Sequence, residues 1–388
     1  MSHSKTTPSI FSTGLAMFCM FFGAGNVIFP LAIGQYAQDN NFYAILGLLI
    51  TAVGVPFLGL ISMTLFNGNY KHFFERIGKV PGFIIALAIM GLIGPFGATP
   101  RCIALSYSTV VQYFPWVDVK IFTGLCCLLI FACTYNKTTL VNLLGKIFTP
   151  FLILSLGIII VMGLWYATGA PESSLSASTV FLEGLNEGYQ TMDLVAAFFF
   201  SSVVISCLEP NAKPGDHKNY KKMVFLSLKA SAVGAFLLSL AYIGFCLVAS
   251  NYSVHLNGVP KDRLIGALSH IILGPSAGIV AIATVALACL TTAMALASVF
   301  ADFLSKEVTL SKLGYVPCLV ITLVITYFIA TLEFAGIAAF LVPILQIAYP
   351  ALITLSGLNI AHKLYHFNPV KVPVLVVFVI SLVGFFLK

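Results

Sequence analysis

Charge is scarce in this chain. Of 388 residues only 9% are Asp, Glu, Lys or Arg, whereas 59% are hydrophobic and the mean hydropathy is +1.01. A water-soluble domain has too little interior to hide that much apolar surface, so the composition predicts a polytopic helical membrane protein. Ten-residue segments of alternating polarity, the mark of a lipid-facing barrel, are missing. There is no Walker A run, HExxH, GxSxG or pair of carboxylates on one helix face. These absences argue against an enzyme and leave an ion gradient to drive any uphill transport. The nine cysteines (Cys19, Cys102, Cys126, Cys127, Cys133, Cys207, Cys246, Cys289 and Cys318) lie in apolar segments without CxxC spacing, and the seven histidines are scattered. They read as reduced core residues and as no metal constellation. The N-terminal lead MSHSKTTPSI lacks a small-residue cleavage site and is not read as a removed signal peptide.

What the chain has is long apolar runs. At 1.5 Å per residue a helix needs about 20 residues to cross a bilayer. Eleven candidate spans follow: 10–37, 42–67, 81–113, 119–136, 142–168, 188–208, 222–250, 276–304, 315–332, 335–361 and 371–387. The tenth, which contains Pro343 and Pro350, is open to division into two. The net charge of +7 resides in short loops and so concerns orientation rather than nucleic acid. With the N-terminus in the cytoplasm, Lys5, Lys71, Arg76, Lys79, Lys137, Lys146, Lys213, Lys218, Lys221, Lys222, Lys229, Lys306, Lys312, Lys363 and Lys371 fall inside. Only Lys120, Lys261, Arg263 and Lys388 fall outside. That bias predicts a cytoplasmic N-terminus in a multi-pass inner-membrane protein. Between Lys146 and Lys213 there is no basic residue, and Glu172, Glu183 and Glu187 make this outer stretch acidic. A cation-enriching funnel or merely the absence of external positive charge accounts for it.

Two spans carry interruptions. In the first, Gly23, Gly25 and Asn26 break FFGAGNVIFP and Pro30 follows. In hydrocarbon a freed backbone group costs several kcal/mol unless protein or ligand satisfies it. A Gly-rich packing face with a Pro kink accounts for the run, and so does a binding site. In the sixth, Gly188, Tyr189, Gln190, Thr191 and Asp193 make GYQTMD polar. The two spans run in opposite directions, which points to inverted repeats with a site at their interface. The predicted repeats are 10–168 and 186–361, with 371–387 as an extra helix, all in one transmembrane domain.

The N–H groups of Ala24, Gly25 and Asn26 suit a carboxylate at a half-helix N-terminus, and the Asn26 amide oxygen suits Na⁺. Carbonyls freed around Gly188 to Thr191 would accept from an ammonium group. Asp193 either binds ammonium or cation, titrates, or caps its own helix with Thr191. In the eighth span Ala288, Thr291 and Thr292 share a face at i, i+3 and i+4. They either complete an oxygen cage for a cation or hydrogen-bond within and between helices. Arg101 lies about 30 Å along a helix from Pro81, toward the outer side, where pairing with Glu187 or Glu333 or guarding the mouth are its expected roles. Tyr107 is either within reach of a carboxylate or a residue of the interfacial aromatic belt.

FFGAGNVIFP, GPFGATPR, GYQTMD and LTTA, in that order in spans one, three, six and eight, resemble the BrnQ-type branched-chain amino acid:cation symporters, within the amino acid–polyamine–cation superfamily. The resemblance covers about residues 10–361. It implies an all-α fold with a LeuT-like five-plus-five inverted repeat and discontinuous helices one and six. It further implies import of leucine, isoleucine and valine with Na⁺ or H⁺ by alternating access. Gly23, Ala24, Gly25 and Asn26 would then bind the carboxylate and a cation, and Gly188 to Asp193 would meet the amino group. Ala288, Thr291 and Thr292 would join carbonyls near Cys19 and Phe22 in a second cation site. The chain departs from the family in having eleven spans rather than twelve, and in running LVAAFFFSSVV after GYQTMD. No cofactor beyond the coupling ion and no nucleic-acid partner are expected. Methionine transport and a transporter-like amino acid sensor are the alternatives.

Overall fold

The computed structural model describes residues 10–135, 149–208, 220–274 and 278–387. The chain first runs as α1 (Ile10–Phe21), leaves helical geometry at Phe22 and Gly23, and resumes as α2 (Ala24–Ala37), which Pro30 does not end. After a short 3₁₀ turn, α3 (Asn41–Leu49) passes through a π turn at Ile50–Gly54 into α4 (Val55–Leu65). Then come a short α5 (Tyr70–Phe74), α6 (Lys79–Ile93), α7 (Ala98–Val111), α8 (Val119–Thr134) and α9 (Thr149–Trp165). The second half holds α10 (Ala177–Tyr189), α11 (Asp193–Leu208), α12 (Tyr220–Asn251), α13 (Leu264–Leu273), α14 (Gly278–Phe303), α15 (Tyr315–Ala330), α16 (Glu333–Tyr365) and α17 (Lys371–Phe386).

Eleven passes result among the described residues, and three expectations are corrected. The sixth pass begins at Ala177, not at residue 188, because its first eleven residues carry Glu183, Asn186 and Glu187 and fail a hydropathy reading. They fold because Ser176 accepts from the Thr179 amide as an N-cap. The third pass, expected as a continuous helix, is broken by a turn at Gly94–Gly97. Residues 251–275, expected as plain connection, contain α13. The tenth pass is one helix through Pro343 and Pro350.

Packing crosses between the halves. The broken first pass lies along α12, the second pass of the second half; the broken sixth lies along α3 and α4, the second pass of the first half. Close approach needs small residues: a Cβ at Gly184 would come within 2.5 Å of the Ala44 carbonyl oxygen, and one at Gly47 within 3.0 Å of the Leu185 nitrogen. Backbones meeting at this distance gain dispersion contact that lipid cannot supply. Aromatic side chains fill the centre, with Phe18 and Phe22 stacked at 5.2 Å and Phe21 meeting Phe200 edge-on at 5.2 Å.

The bundle has two chemically different ends. At one, Lys71 pairs with Glu307 at 2.7 Å, Lys363 lies over the Phe66 ring and Arg76 reaches the Asn368 carbonyl. At the other, Gln112 donates to the Arg263 carbonyl and Asn40 to the Leu175 carbonyl. Lys5, Lys137, Lys146, Lys213, Lys218 and Lys388, used in the sequence-based orientation, lie outside the described residues, as does the start of the fifth expected span.

Candidate functional site

The breaks of the first and sixth passes face each other. At the first, Gly23 is extended (φ −119°) and donates its N–H to the Asn26 amide oxygen at 3.1 Å. At the second, the Gln190, Thr191 and Met192 amides reach back to carbonyls of Glu187, Gly188 and Tyr189, and Met192 takes a left-handed φ of +66°. The Thr191 hydroxyl donates to the Gly188 carbonyl at 2.9 Å and accepts from the Asp193 amide at 3.4 Å. Thr191 therefore does the capping at this break.

Asp193 is only 3% exposed, and its carboxylate crosses the gap between the breaks. Its Oδ2 accepts from Asn26 Nδ2 at 2.7 Å and from the Tyr242 hydroxyl at 2.9 Å, while Asn26 Nδ2 and the Tyr242 hydroxyl also touch. Asn26 is thus committed at both ends of its amide, its oxygen to its own break and its nitrogen to the other. Tyr242, on α12, was not singled out from the sequence. The available signal was a tyrosine in mid-helix, far from any aromatic belt.

Arg101 departs most from its expected place. It makes no ion pair with Glu187 or Glu333 among the described residues, because the turn at Gly94–Gly97 uses up length that a continuous helix would spend in rise. It is 2% exposed, beneath the Phe29 ring at 5.4 Å, and one of its terminal nitrogens would stand 2.9 Å from a Cβ on Gly25. Glu187 instead pairs with Lys261 at 2.5 Å, tying the end of α10 to the 252–263 connection. Glu333 is exposed in the first turn of α16, where an acid complements the helix dipole. The Tyr107 hydroxyl donates to the Val117 carbonyl at 3.2 Å and hydrogen-bonds to no carboxylate among the described residues.

The oxygens expected to hold a cation come together in part. Thr291 Oγ1 lies 3.0 Å from the Ala288 carbonyl and 3.4 Å from the Cys19 carbonyl, whereas Thr292 Oγ1 donates to the Met20 carbonyl at 3.2 Å. Met20 thus takes the place expected of Phe22, whose amide continues α1 by bonding to Phe18 and whose ring stacks inward. Tyr189 packs on the Tyr349 ring at 5.1 Å, and Gln190 is buried. Thr51 crowds Gly188 so closely that a Cβ there would overlap its hydroxyl.

Between the breaks is a cavity of about 20 Å³, room for about one water. Its polar wall is Asn26, Arg101, Thr191, Asp193 and Thr292; its apolar wall is Met20, Phe21, Ile93, Ala196, Phe200 and Leu296. These come from passes one, three, six and eight. An apolar side chain would be read by the second wall and charged groups by the first, once the helices part. A larger crevice of about 500 Å³ between α6, α16 and α17 has only Lys371 for a charged group and no interrupted backbone, so it lacks the means to orient a polar solute.

The whole fold resembles solved transporters of the LeuT type. Mhp1, a nucleobase-cation-symport-1 family transporter, in a closed conformation, superposes with a TM-score of 0.61 over 99% of this chain and 94% of its own at 13% identity. MhsT in complex with L-phenylalanine gives 0.58 over 97% of each chain, also at 13% identity. Closer in sequence are BrnQ, the branched-chain amino acid permease of Corynebacterium glutamicum, 32% identical over 362 residues, and the branched-chain amino acid permease BraB of Bacillus subtilis, 30% identical over 374. These matches cover 92% and 94% of this chain and 82% of each relative. Residues 6–387 match the family described as branched-chain amino acid transport protein, and the chain belongs to that family.

Proposed function

We propose that this protein is a secondary symporter that imports leucine, isoleucine and valine with Na⁺ or H⁺ by alternating access, and that it is not an enzyme. The observation that carries this is the pair of facing helix breaks, joined by the Asn26–Asp193–Tyr242 hydrogen bonds and opening on a cavity with one polar and one apolar wall. The amides of Ala24, Gly25 and Asn26 would hold the carboxylate at the positive end of α2, beside Gly23, whose own N–H is taken by Asn26 Oδ1, and Asp193 with carbonyls of Gly188 to Thr191 would hold the ammonium. The Cys19, Met20 and Ala288 carbonyls with the Thr291 and Thr292 hydroxyls are the proposed ligands of one cation, and the Asn26 amide oxygen, which accepts from Gly23 with one lone pair, would offer the other to a second. All are hard oxygens suited to Na⁺.

The protein would lie in the inner membrane with its N-terminus and the basic end in the cytoplasm. Its repeats would be 10–168 and 186–361, the latter extended back to Ala177 to include its first half-helix, with 371–387 outside them. Supporting this division, each broken pass packs on the second pass of the other half, the exchange that a two-fold relation between halves requires.

The test is uptake of labelled leucine into proteoliposomes under an imposed Na⁺ gradient, then under an H⁺ gradient with Na⁺ balanced. Accumulation driven by either supports symport. Absence of accumulation under both, with binding retained, would turn the reading to a sensor, and accumulation of methionine alone would change the substrate. If Na⁺ drives uptake, Thr292→Ala raises the Na⁺ concentration for half-maximal uptake about five-fold, the worth of one net polar contact. An unchanged Na⁺ dependence would leave Thr292 as a packing residue that bonds to Met20.

A further inference from the structure

Resting on the transport reading above, we propose that Arg101 is a substrate-binding residue and that its guanidinium takes the α-carboxylate of the amino acid. Arg101 is 2% exposed, yet its Nε has no hydrogen-bond partner, and no carboxylate forms an ion pair with it among the described residues. The face of the Phe29 ring lies over it at 5.4 Å, which attracts a cation but supplies no lone pairs to the guanidinium donors. A buried structural arginine is normally saturated by carboxylates or carbonyls, because an uncompensated buried charge is strongly unfavourable. The charge here is instead turned into the cavity between the helix breaks.

The position fits an α-carboxylate. Arg101 comes against Gly25, where any side chain would meet its terminal nitrogen and the Thr191 backbone, both at 2.9 Å. That close contact fills the position and sets the guanidinium against the first turn of α2, so a ligand enters only when the helices part. A carboxylate there would receive the planar fork of Arg101 on one edge and the helix N-terminus on the other. Across the cavity, Asp193 is already held by Asn26 and Tyr242; it is near enough to attract the guanidinium but forms no ion pair with Arg101 among the described residues. The site thus keeps a cation and an anion apart, and a zwitterion answers both.

The experiment uses the purified full chain and equilibrium binding of L-leucine, of L-leucinamide, which lacks the carboxylate charge, and of isocaproate, which lacks the ammonium. Wild-type protein is expected to bind leucinamide about 100-fold more weakly than leucine, in the range for unpairing a buried charge. Arg101→Gln is expected to weaken leucine by a similar factor and leave leucinamide within about three-fold, so that the discrimination disappears. Arg101→Lys keeps the charge and loses the fork, and is expected to lose about ten-fold for leucine. Isocaproate, with its carboxylate intact, is expected to lose affinity in both variants. Equal weakening of leucine and leucinamide in Arg101→Lys would make Arg101 a packing residue and overturn the proposal. So would a wild-type protein that binds the two equally, with no variant needed. Failure of the wild type to bind leucine at all would instead sink the transport reading, and this inference with it.

Discussion

The two helix breaks reach the same outcome by opposite means. At Gly23 the backbone is extended, a conformation open to any residue, and the glycine is needed for room: a Cβ would lie 2.9 Å from the Thr292 hydroxyl. At Met192 there is no glycine, and a bulky, buried residue sits at φ +66°. Such a conformation costs about 1–3 kcal/mol and persists only where the surroundings impose it. Here they do, through the Thr191 hydroxyl on Gly188, Thr51 against Gly188, and the Asp193 carboxylate fixed by Asn26 and Tyr242. The first break is therefore built from missing side chains and the second from present ones. The second will depend on its partners more than the first depends on it.

The largest effect is expected from removing the link between them. Asp193→Ala takes the acceptor from Asn26 and Tyr242, both buried, and removes the carboxylate of the cavity's polar wall. Leucine uptake in proteoliposomes should fall by more than about 100-fold, as for one partner of a buried charged pair. Uptake within ten-fold of wild type would mean that the sixth pass stays unwound without its clamp. Next comes Gly25→Ala, which leaves the clamp intact but puts a methyl against Arg101 and the Thr191 backbone. Because backbone cannot move aside cheaply, uptake should fall at least about ten-fold while thermal unfolding shifts by only a few degrees. A large loss of stability with normal affinity would show that the slot is needed for packing rather than for ligand.

The first break was legible in the sequence because glycine is itself the signal. FFGAGNVIFP stands out in any apolar run, and the helix ends within it. The second was half legible: Thr191 and Asp193 marked the polar patch, but α10 escaped since Glu183 and Glu187 lower its hydropathy while Gly184 and Val180 bury one face. Pro343 and Pro350 suggested a division in the tenth pass that does not occur, since a proline in a membrane helix removes one donor and neighbouring groups tolerate it. The turn at Gly94–Gly97 breaks the third pass, whereas the distance from Pro81 to Arg101 assumes a continuous helix. The depth of Arg101 followed from that error, as a rise of 1.5 Å per residue applies only to unbroken helix. Tyr242 was illegible for another reason: its partner lies 49 residues away in the chain, and only the fold brings the two together.

Tyr242 also supplies the finest division of the comparison. Tyr242→Phe removes one donor to Asp193 Oδ2 and leaves Asn26 Nδ2 bonded to it at 2.7 Å, so the clamp keeps its connection between the breaks and loses only its anchor to α12. A hydrogen bond to a charged group is worth about 1.5–3 kcal/mol net, and with Asn26 still bonded to the carboxylate the loss is expected at the low end, about ten-fold. Because the clamp orders the sixth pass rather than touching an apolar side chain, the change should appear equally for leucine, isoleucine and valine in an uptake assay. A loss as large as that of Asp193→Ala would place the sixth-pass break under the control of α12. A loss that differs among the three amino acids would move Tyr242 from the clamp into the side-chain pocket.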